Sequence, residues 1–172
     1  MRARRPLIIA AILTPVLGLA ACGGDEGASV KQRILTFVAQ PTSEFSFNDV
    51  APKTKVGAQG PERLSAGDQL TFSSDMLDQT RKDVGDLDVV CAVTRPGGMD
   101  AAHAQCTGTA TLPGGVLTLG RGGRVFAPRE PYGSILGGTL AFTGASGLFI
   151  ETAGSGGQST YTFRISMTDA GS

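Results

Sequence analysis

Cys91 and Cys106 are the residues of this chain whose types and spacing best suit shared chemistry. Pro96, Gly97 and Gly98 in "RPGGMD" supply a turn between them, and the flanking segments "DLDVVCAVT" and "AHAQCTGTATL" are strand-like. A hairpin centred between Gly98 and Met99 sets Cys91 opposite Cys106. It also gathers Leu87, Val89, Cys91, Val93, Ala104, Cys106, Ala110 and Leu112 on one apolar face. In an exported chain such a pair is most simply a structural disulfide, and without C-x-x-C spacing nothing favours a redox or metal role. His103, the single histidine, would have to serve any Ser-His-Asp triad, but it lies beside the 99–104 turn and reads as solvent-exposed. Asp75, Asp78, Asp83, Asp86 and Asp88 lack the calcium-loop pattern with its glycine and terminal glutamate; they read as a solvated charged edge, and no metal is expected. Glu44 and Asp49 flank "FSFN" and could pair at the mouth of a site, although loop solubility accounts for them as simply. The glycines of "LGRGGR" and "PGG" follow no phosphate-binding pattern and read as turns. No cofactor is expected.

At the N-terminus, Arg2, Arg4 and Arg5 precede an apolar run over residues 7–21, the charged and apolar regions of a secretory signal. Pro15 interrupts that run, which is short for a membrane span of about 20 apolar residues. Leu19-Ala20-Ala21-Cys22 resembles the lipobox of bacterial lipoproteins, which implies cleavage before Cys22 and lipidation of its thiol. More than one acyl chain holds a protein stably on a membrane where a single chain binds marginally. The expected organisation is a signal peptide over 1–21, a lipidated Cys22 with a flexible tether over 22–32, and one domain over 33–172. Such a protein is exported and anchored on the extracytoplasmic face of a bacterial membrane. The 15 basic and 15 acidic side chains of the whole chain balance, so loss of the three signal arginines leaves the domain net acidic. That argues against nucleic acid, whose binding depends on Lys and Arg neutralising phosphates.

The elements that must position these residues are strands. "ILTFVA" reads as a first strand over 34–39, and "DQLTFSSDML" sets Leu70, Phe72, Ser74 and Met76 on one face. The cysteine hairpin supplies two more strands, and Pro113-Gly114-Gly115 turns into a fifth. Further strands fall near 132–136 and 148–152. The last, "STYTFRISMT", alternates Tyr161, Phe163, Ile165 and Met167 with polar residues, the mark of one buried and one wet face. No helix of normal length is evident. About eight short strands with Gly and Pro turns indicate a barrel or a sandwich, and closure into a barrel removes exposed edges. Between two of the strands, "LGGTLAFTGASG" reads as a junction. Gly137-Gly138 end a strand, Thr139 caps one helical turn through Phe142, and Gly144 to Gly147 permit a tight reversal. Phe142 then plugs one barrel end with Ala145 beneath it, and the other interior aromatics are expected to be Phe37, Phe72, Tyr132, Tyr161 and Phe163.

"GGTLAFTGASG" resembles the Gly-Gly-Thr/Ser-Gly-x-aromatic-x-Gly-Ala-x-Gly segment of allene oxide cyclases and dirigent proteins. "GDQLTFSSDML", "VGDLDVVCAV" and "YTFRIS" match in the same order, so the likeness runs over about 67–168. It implies an all-β, eight-stranded antiparallel β-barrel of calycin type with a small-molecule cavity, often assembled as a homotrimer, in a bacterial lipoprotein branch. Leu140 stands where the segment usually has glycine. The plant cyclases carry Glu and Asn at places that fall near Val38 and at Ser74, and their cavity cysteine falls on Cys91. Most polar groups that would steer an oxylipin epoxide are therefore absent. The expected function is binding of a small apolar ligand by Phe37, Phe72, Ser74, Cys91, Tyr161 and Phe163, with Ser74 and the Tyr161 hydroxyl orienting a carbonyl or hydroxyl. The alternatives are a cyclase or isomerase that directs ring closure by orientation, and a structural surface lipoprotein with a solidly packed barrel.

Overall fold

A computed structural model of the chain describes residues 30–57, 60–124 and 132–168. The signal segment, Cys22 and most of the expected tether lie outside those residues. The strands are β1 (Val30–Asn48), β2 (Val56–Gly57), β3 (Gly60–Pro61), β4 (Gln69–Leu77), β5 (Asp83–Arg95), β6 (His103–Leu112), β7 (Gly115–Gly123), β8 (Tyr132–Gly138), β9 (Ala145–Ala153) and β10 (Ser159–Thr168). Strands β4 to β10 pair in chain order, and β1 closes an eight-stranded antiparallel barrel by pairing with both β10 and β4. β2 and β3 form a separate small ribbon in the connection after β1.

β1 serves two edges, which explains its 19 residues. Its first half runs against β10 from Val30 opposite Thr168 to Ala39 opposite Ser159, and its second half runs against β4 as far as Asn48 opposite Gln69. The register shifts between Pro41 and Phe45, where the strand bends from one partner to the other. The strand starts at Val30 rather than near Ile34, so residues 30–32, expected as tether, are paired strand.

Inward-facing side chains make two clusters. Towards the end where β1 begins, Phe142, Phe163, Ile165, Leu117, Ala145 and Met76 pack together, and Phe142 has no exposed surface. Towards the other end, Leu64, Leu70, Val93, Ala102 and Ala104 pack with the two cysteines. Asp68 secures the connection that carries Leu64. It is fully buried, and its carboxylate accepts hydrogen bonds from the Val50 amide at 2.8 Å and the Ser65 amide at 2.6 Å, which offsets the cost of burying it.

Three expectations need correction. The "LGRGGR" glycines lie in β7 and are not turns. Gly120 fits there because a Cβ would stand 2.8 Å from Leu136 Cδ1 on neighbouring β8. Tyr132 is 64% exposed on the outer face, whereas Phe149 is buried; β8 turns Gly133 and Ile135 inward instead. The helical turn at Leu140–Phe142 exists as a single 3-10 turn, but the Thr139 side chain does not cap it. That hydroxyl instead accepts from the Val116 amide at 3.2 Å, tying the turn to β7.

Candidate functional site

The barrel is not packed solid. Between the two clusters lies an inner chamber of 140 Å³ with walls from six strands, β4 to β7, β9 and β10. Phe72, Leu87, Val89, Leu119 and Phe149 make it largely apolar. The Cys91–Cys106 disulfide forms one wall; the two residues are direct cross-strand partners with Cα atoms 4.0 Å apart. Gly108 takes the inward position between Cys106 and Ala110 and leaves the chamber room on that side. Phe149 is fixed by its neighbours, with ring centroids 5.9 Å from Tyr161 and 6.3 Å from Phe163.

One corner of the chamber is polar. Arg121 follows Leu117 and Leu119 along the inner face of β7 and donates from Nη1 to Glu151 Oε2 at 3.1 Å. The other carboxylate oxygen, Oε1, accepts from the Ser159 hydroxyl at 3.0 Å. Tyr161 stands directly opposite Glu151 in the β9–β10 ladder and hydrogen-bonds it through its hydroxyl. Burial first, and then the charge of Glu151, push the Tyr161 hydroxyl far above its ordinary pKa of 10.0, so it remains a neutral donor. Among the described residues the corner therefore holds one cation, one anion and two hydroxyls. It offers hydrogen bonds, and the charges of Arg121 and Glu151 oppose each other.

A second pocket, of 240 Å³, continues outward past Phe72, Glu151 and Tyr161, which line both spaces. Its outer walls are Pro41, Thr42 and Phe45 at the β1 bend, Ser73 and Ser74 on β4, and Gly157 in the turn before β10. It lies at the end of the barrel away from Phe142. Phe45 stands at this mouth, 56% exposed.

Of the residues expected to contact a ligand, Phe72 and Tyr161 line both spaces, Cys91 the inner and Ser74 the outer. Phe37 and Phe163 line neither. Their rings lie 6.3 Å apart within the core at the plugged end. Arg121, Phe149, Glu151 and Ser159 were not anticipated, yet simple alternation carries them. Arg121 extends the Leu117, Leu119 face, Glu151 follows Phe149 by two, and Ser159 precedes Tyr161 by two. Reading the glycines around Arg121 as a turn hid the first of these signals.

The remaining candidates serve the scaffold. His103 is half-buried at the start of β6, and its carbonyl accepts from the Thr94 hydroxyl. Asp78 closes the β4–β5 turn by accepting from the Thr80 amide and hydroxyl and the Lys82 amide, contacts that lower its pKa. Asp88 accepts from Ser73 at 2.6 Å. Asp49 accepts from the Thr54 amide, and the Glu44 side chain lies outside the described residues. Among the described residues, no group of three or more His, Cys, Asp or Glu is placed to hold a metal.

Fold and site together define a closed eight-stranded barrel with a largely apolar inner chamber and a polar corner. Among solved structures the same barrel fold is found in dirigent proteins and in cyclase and demethylase enzymes. A pyocyanin demethylase superposes with a TM-score of 0.60 at 17% identity, over 77% of this chain and 99% of that one. A pterocarpan synthase dirigent protein gives 0.54 at 17% identity, over 81% and 90%. An exo-specific intermolecular Diels-Alderase gives 0.57 at 10% identity, over 80% and 98%. No protein-family model matches the chain, and no curated protein matches it in sequence.

Proposed function

We propose that this protein binds a small, neutral, largely apolar molecule with one hydrogen-bonding group, with a ring-sized portion in the inner chamber. The observation that carries this reading is the Arg121–Glu151–Tyr161 corner set in an otherwise apolar chamber of 140 Å³. A cavity of about 150 Å³ accommodates one benzene ring. A neutral guest is favoured because the corner's charges already cancel, and an added buried charge would lack a partner. The more polar outer pocket suits a substituent that projects towards solvent. Both cavities weigh against the packed structural barrel.

A second reading, a cyclase or isomerase, draws on the same corner. Glu151 can accept a proton, Tyr161 can donate one, and orientation of a folded substrate lowers a ring-closure barrier by several kcal/mol. The Diels-Alderase and pterocarpan synthase neighbours support this reading by analogy of fold.

The anchored location follows from Cys22. β1 begins at the end plugged by Phe142, so a tether from Cys22 would leave the barrel there and turn the pocket mouth away from the membrane. Detergent partitioning tests the anchor: Cys22→Ala should move the protein to the aqueous phase, and an unchanged distribution would overturn it.

Phe72 lines both spaces, so Phe72→Trp should abolish uptake of single-ring apolar probes measured by calorimetry while the circular dichroism stays unchanged. If the wild-type protein takes up no such probe, the binding and cyclase readings both fall.

A further inference from the structure

We propose that the barrel end plugged by Phe142 is a docking surface for a phospholipid bilayer, with Leu140 entering the headgroup region and Arg33 meeting lipid phosphate. The inference rests on the anchored reading of Cys22.

Leu140 combines a strained backbone with a side chain that the fold does not use. Its φ of 53° favours glycine, and its side chain is 79% exposed, so no burial within the chain offsets the strain. Strain that packing does not repay gathers at functional sites. The turn itself is firmly held. The Ala141 amide donates to the Gly114 carbonyl, the Thr143 amide donates to the Leu140 carbonyl, and Phe142 is fully buried two residues on. A fixed base thus presents one large aliphatic side chain to the outside.

The surroundings suit a lipid interface. Pro113 in the adjoining β6–β7 turn is exposed, and Val30 at the start of β1 is 57% exposed. A Cβ on Gly144 would stand 3.6 Å from Thr168 Oγ1, and Thr168 is the ladder partner of Val30, so these apolar groups share one end. Arg33 is also exposed, and its guanidinium stands over the Phe142 ring at 5.6 Å from the centroid. A guanidinium donates to phosphate through the N–H groups in its plane. In the β4–β5 turn, Asp78 and Asp83 accept from amides of that turn, and Arg81 and Lys82 beside them balance their charge.

The chain before β1 indicates which surface covers this end. Cys22 precedes Val30 by eight residues, a span of at most about 29 Å when fully extended. A lipid on Cys22 holds this end close to the bilayer, and such tethering makes a contact effective that would be too weak alone.

The chain has no tryptophan, so Leu140→Trp and Phe45→Trp place one fluorophore at the plugged end or at the pocket mouth. With Cys91 and Cys106 bonded, Cys22 is the remaining thiol of three cysteines. The chain from Cys22 onward, checked for folding by circular dichroism, is coupled through that thiol to maleimide lipid in vesicles of phosphatidylcholine and phosphatidylglycerol. This supplies the anchor whether or not a cell adds one. Brominated acyl chains should quench the fluorophore at position 140 about threefold or more over that at position 45, because a docked side chain reaches the boundary of headgroups and acyl chains. Arg33→Gln should lower the ratio of docked to free protein about fivefold, with Arg33→Lys restoring it, and the loss should shrink on phosphatidylcholine alone. Equal quenching at the two positions, quenching at neither, or an Arg33→Gln effect that Arg33→Lys does not reverse would each overturn the proposal. If the wild-type protein does not partition into detergent, the anchored reading falls, and the coupled chain still decides the docking.

Discussion

Phe149 lies across Gly133, so closely that a Cβ on the glycine would stand 2.4 Å from Phe149 Cζ and 2.7 Å from the Gly120 carbonyl oxygen. The missing side chain on β8 is what lets the ring form a wall of the inner chamber. Tyr161 and Phe163 hold the ring from the other side, and the carbonyl belongs to a paired strand, so neither can yield freely. Gly133→Ala should destabilise the fold by about 1–3 kcal/mol through overpacking and weaken uptake of single-ring probes. Urea unfolding together with probe calorimetry checks both effects; an unchanged midpoint would show that the ring is not fixed.

Tyr161 makes stability depend on pH in a defined direction. Burial and the Glu151 charge raise its pKa above the ordinary 10.0, so the folded state holds the phenolic proton more tightly than the unfolded chain does. The associated stabilisation is complete below pH 10.0 and is lost as pH rises towards the folded value. Above pH 10.0 the wild type should lose up to about 1.4 kcal/mol per pH unit from this group. Tyr161→Phe should show a shallower alkaline loss, at the cost of about 1 kcal/mol at neutral pH for the missing hydrogen bond. Equal alkaline slopes in urea titrations of the two proteins would refute the assignment.

The barrel was legible in the sequence where alternation was strict and uninterrupted. The Tyr161, Phe163, Ile165 series and the cysteine hairpin have the expected inner faces, and Cys91 pairs with Cys106. Glycine-rich strands were harder to read. In β7 and β8 the inward positions include Gly123 and Gly133, which carry no side chain to mark a face, so the pattern alone points Tyr132 the wrong way and makes the segment around Arg121 read as a turn. Bringing Arg121, Glu151 and Tyr161 together requires the register of three strands. Sequence alternation places each of them on an inner face but does not set their heights along the barrel.

Leu140 occupies a position where its neighbours require a left-handed backbone. Its φ is 53°, in the region that favours glycine, and its side chain is 79% exposed, so little burial offsets the strain. Leu140→Gly should relieve steric cost of about 1–2 kcal/mol, partly cancelled by the greater freedom glycine gives the unfolded chain. The expected outcome is a net gain of up to about 1 kcal/mol, read as a higher melting temperature with probe binding unchanged. A lower melting temperature would mean that the leucine makes a contact whose value exceeds the strain.

Removing the disulfide separates its stabilising role from its place in the chamber wall. The bond joins residues 15 apart, and in the chain-entropy model a loop of that size contributes about 3 kcal/mol by restricting the unfolded state. The double variant Cys91→Ala, Cys106→Ala should lose about that much stability. Its urea m-value should rise, because an uncrosslinked chain exposes more surface on unfolding. The β5–β6 ladder continues on both sides of the pair, from Asp86 opposite Thr111 to Val93 opposite Ala104, so the barrel should still close. The smaller alanines widen the chamber, and single-ring probes should continue to bind. A loss of stability with an unchanged m-value would place the stabilisation in the folded wall instead. Loss of probe binding from a variant that remains folded would show that the sulfurs themselves contact the guest.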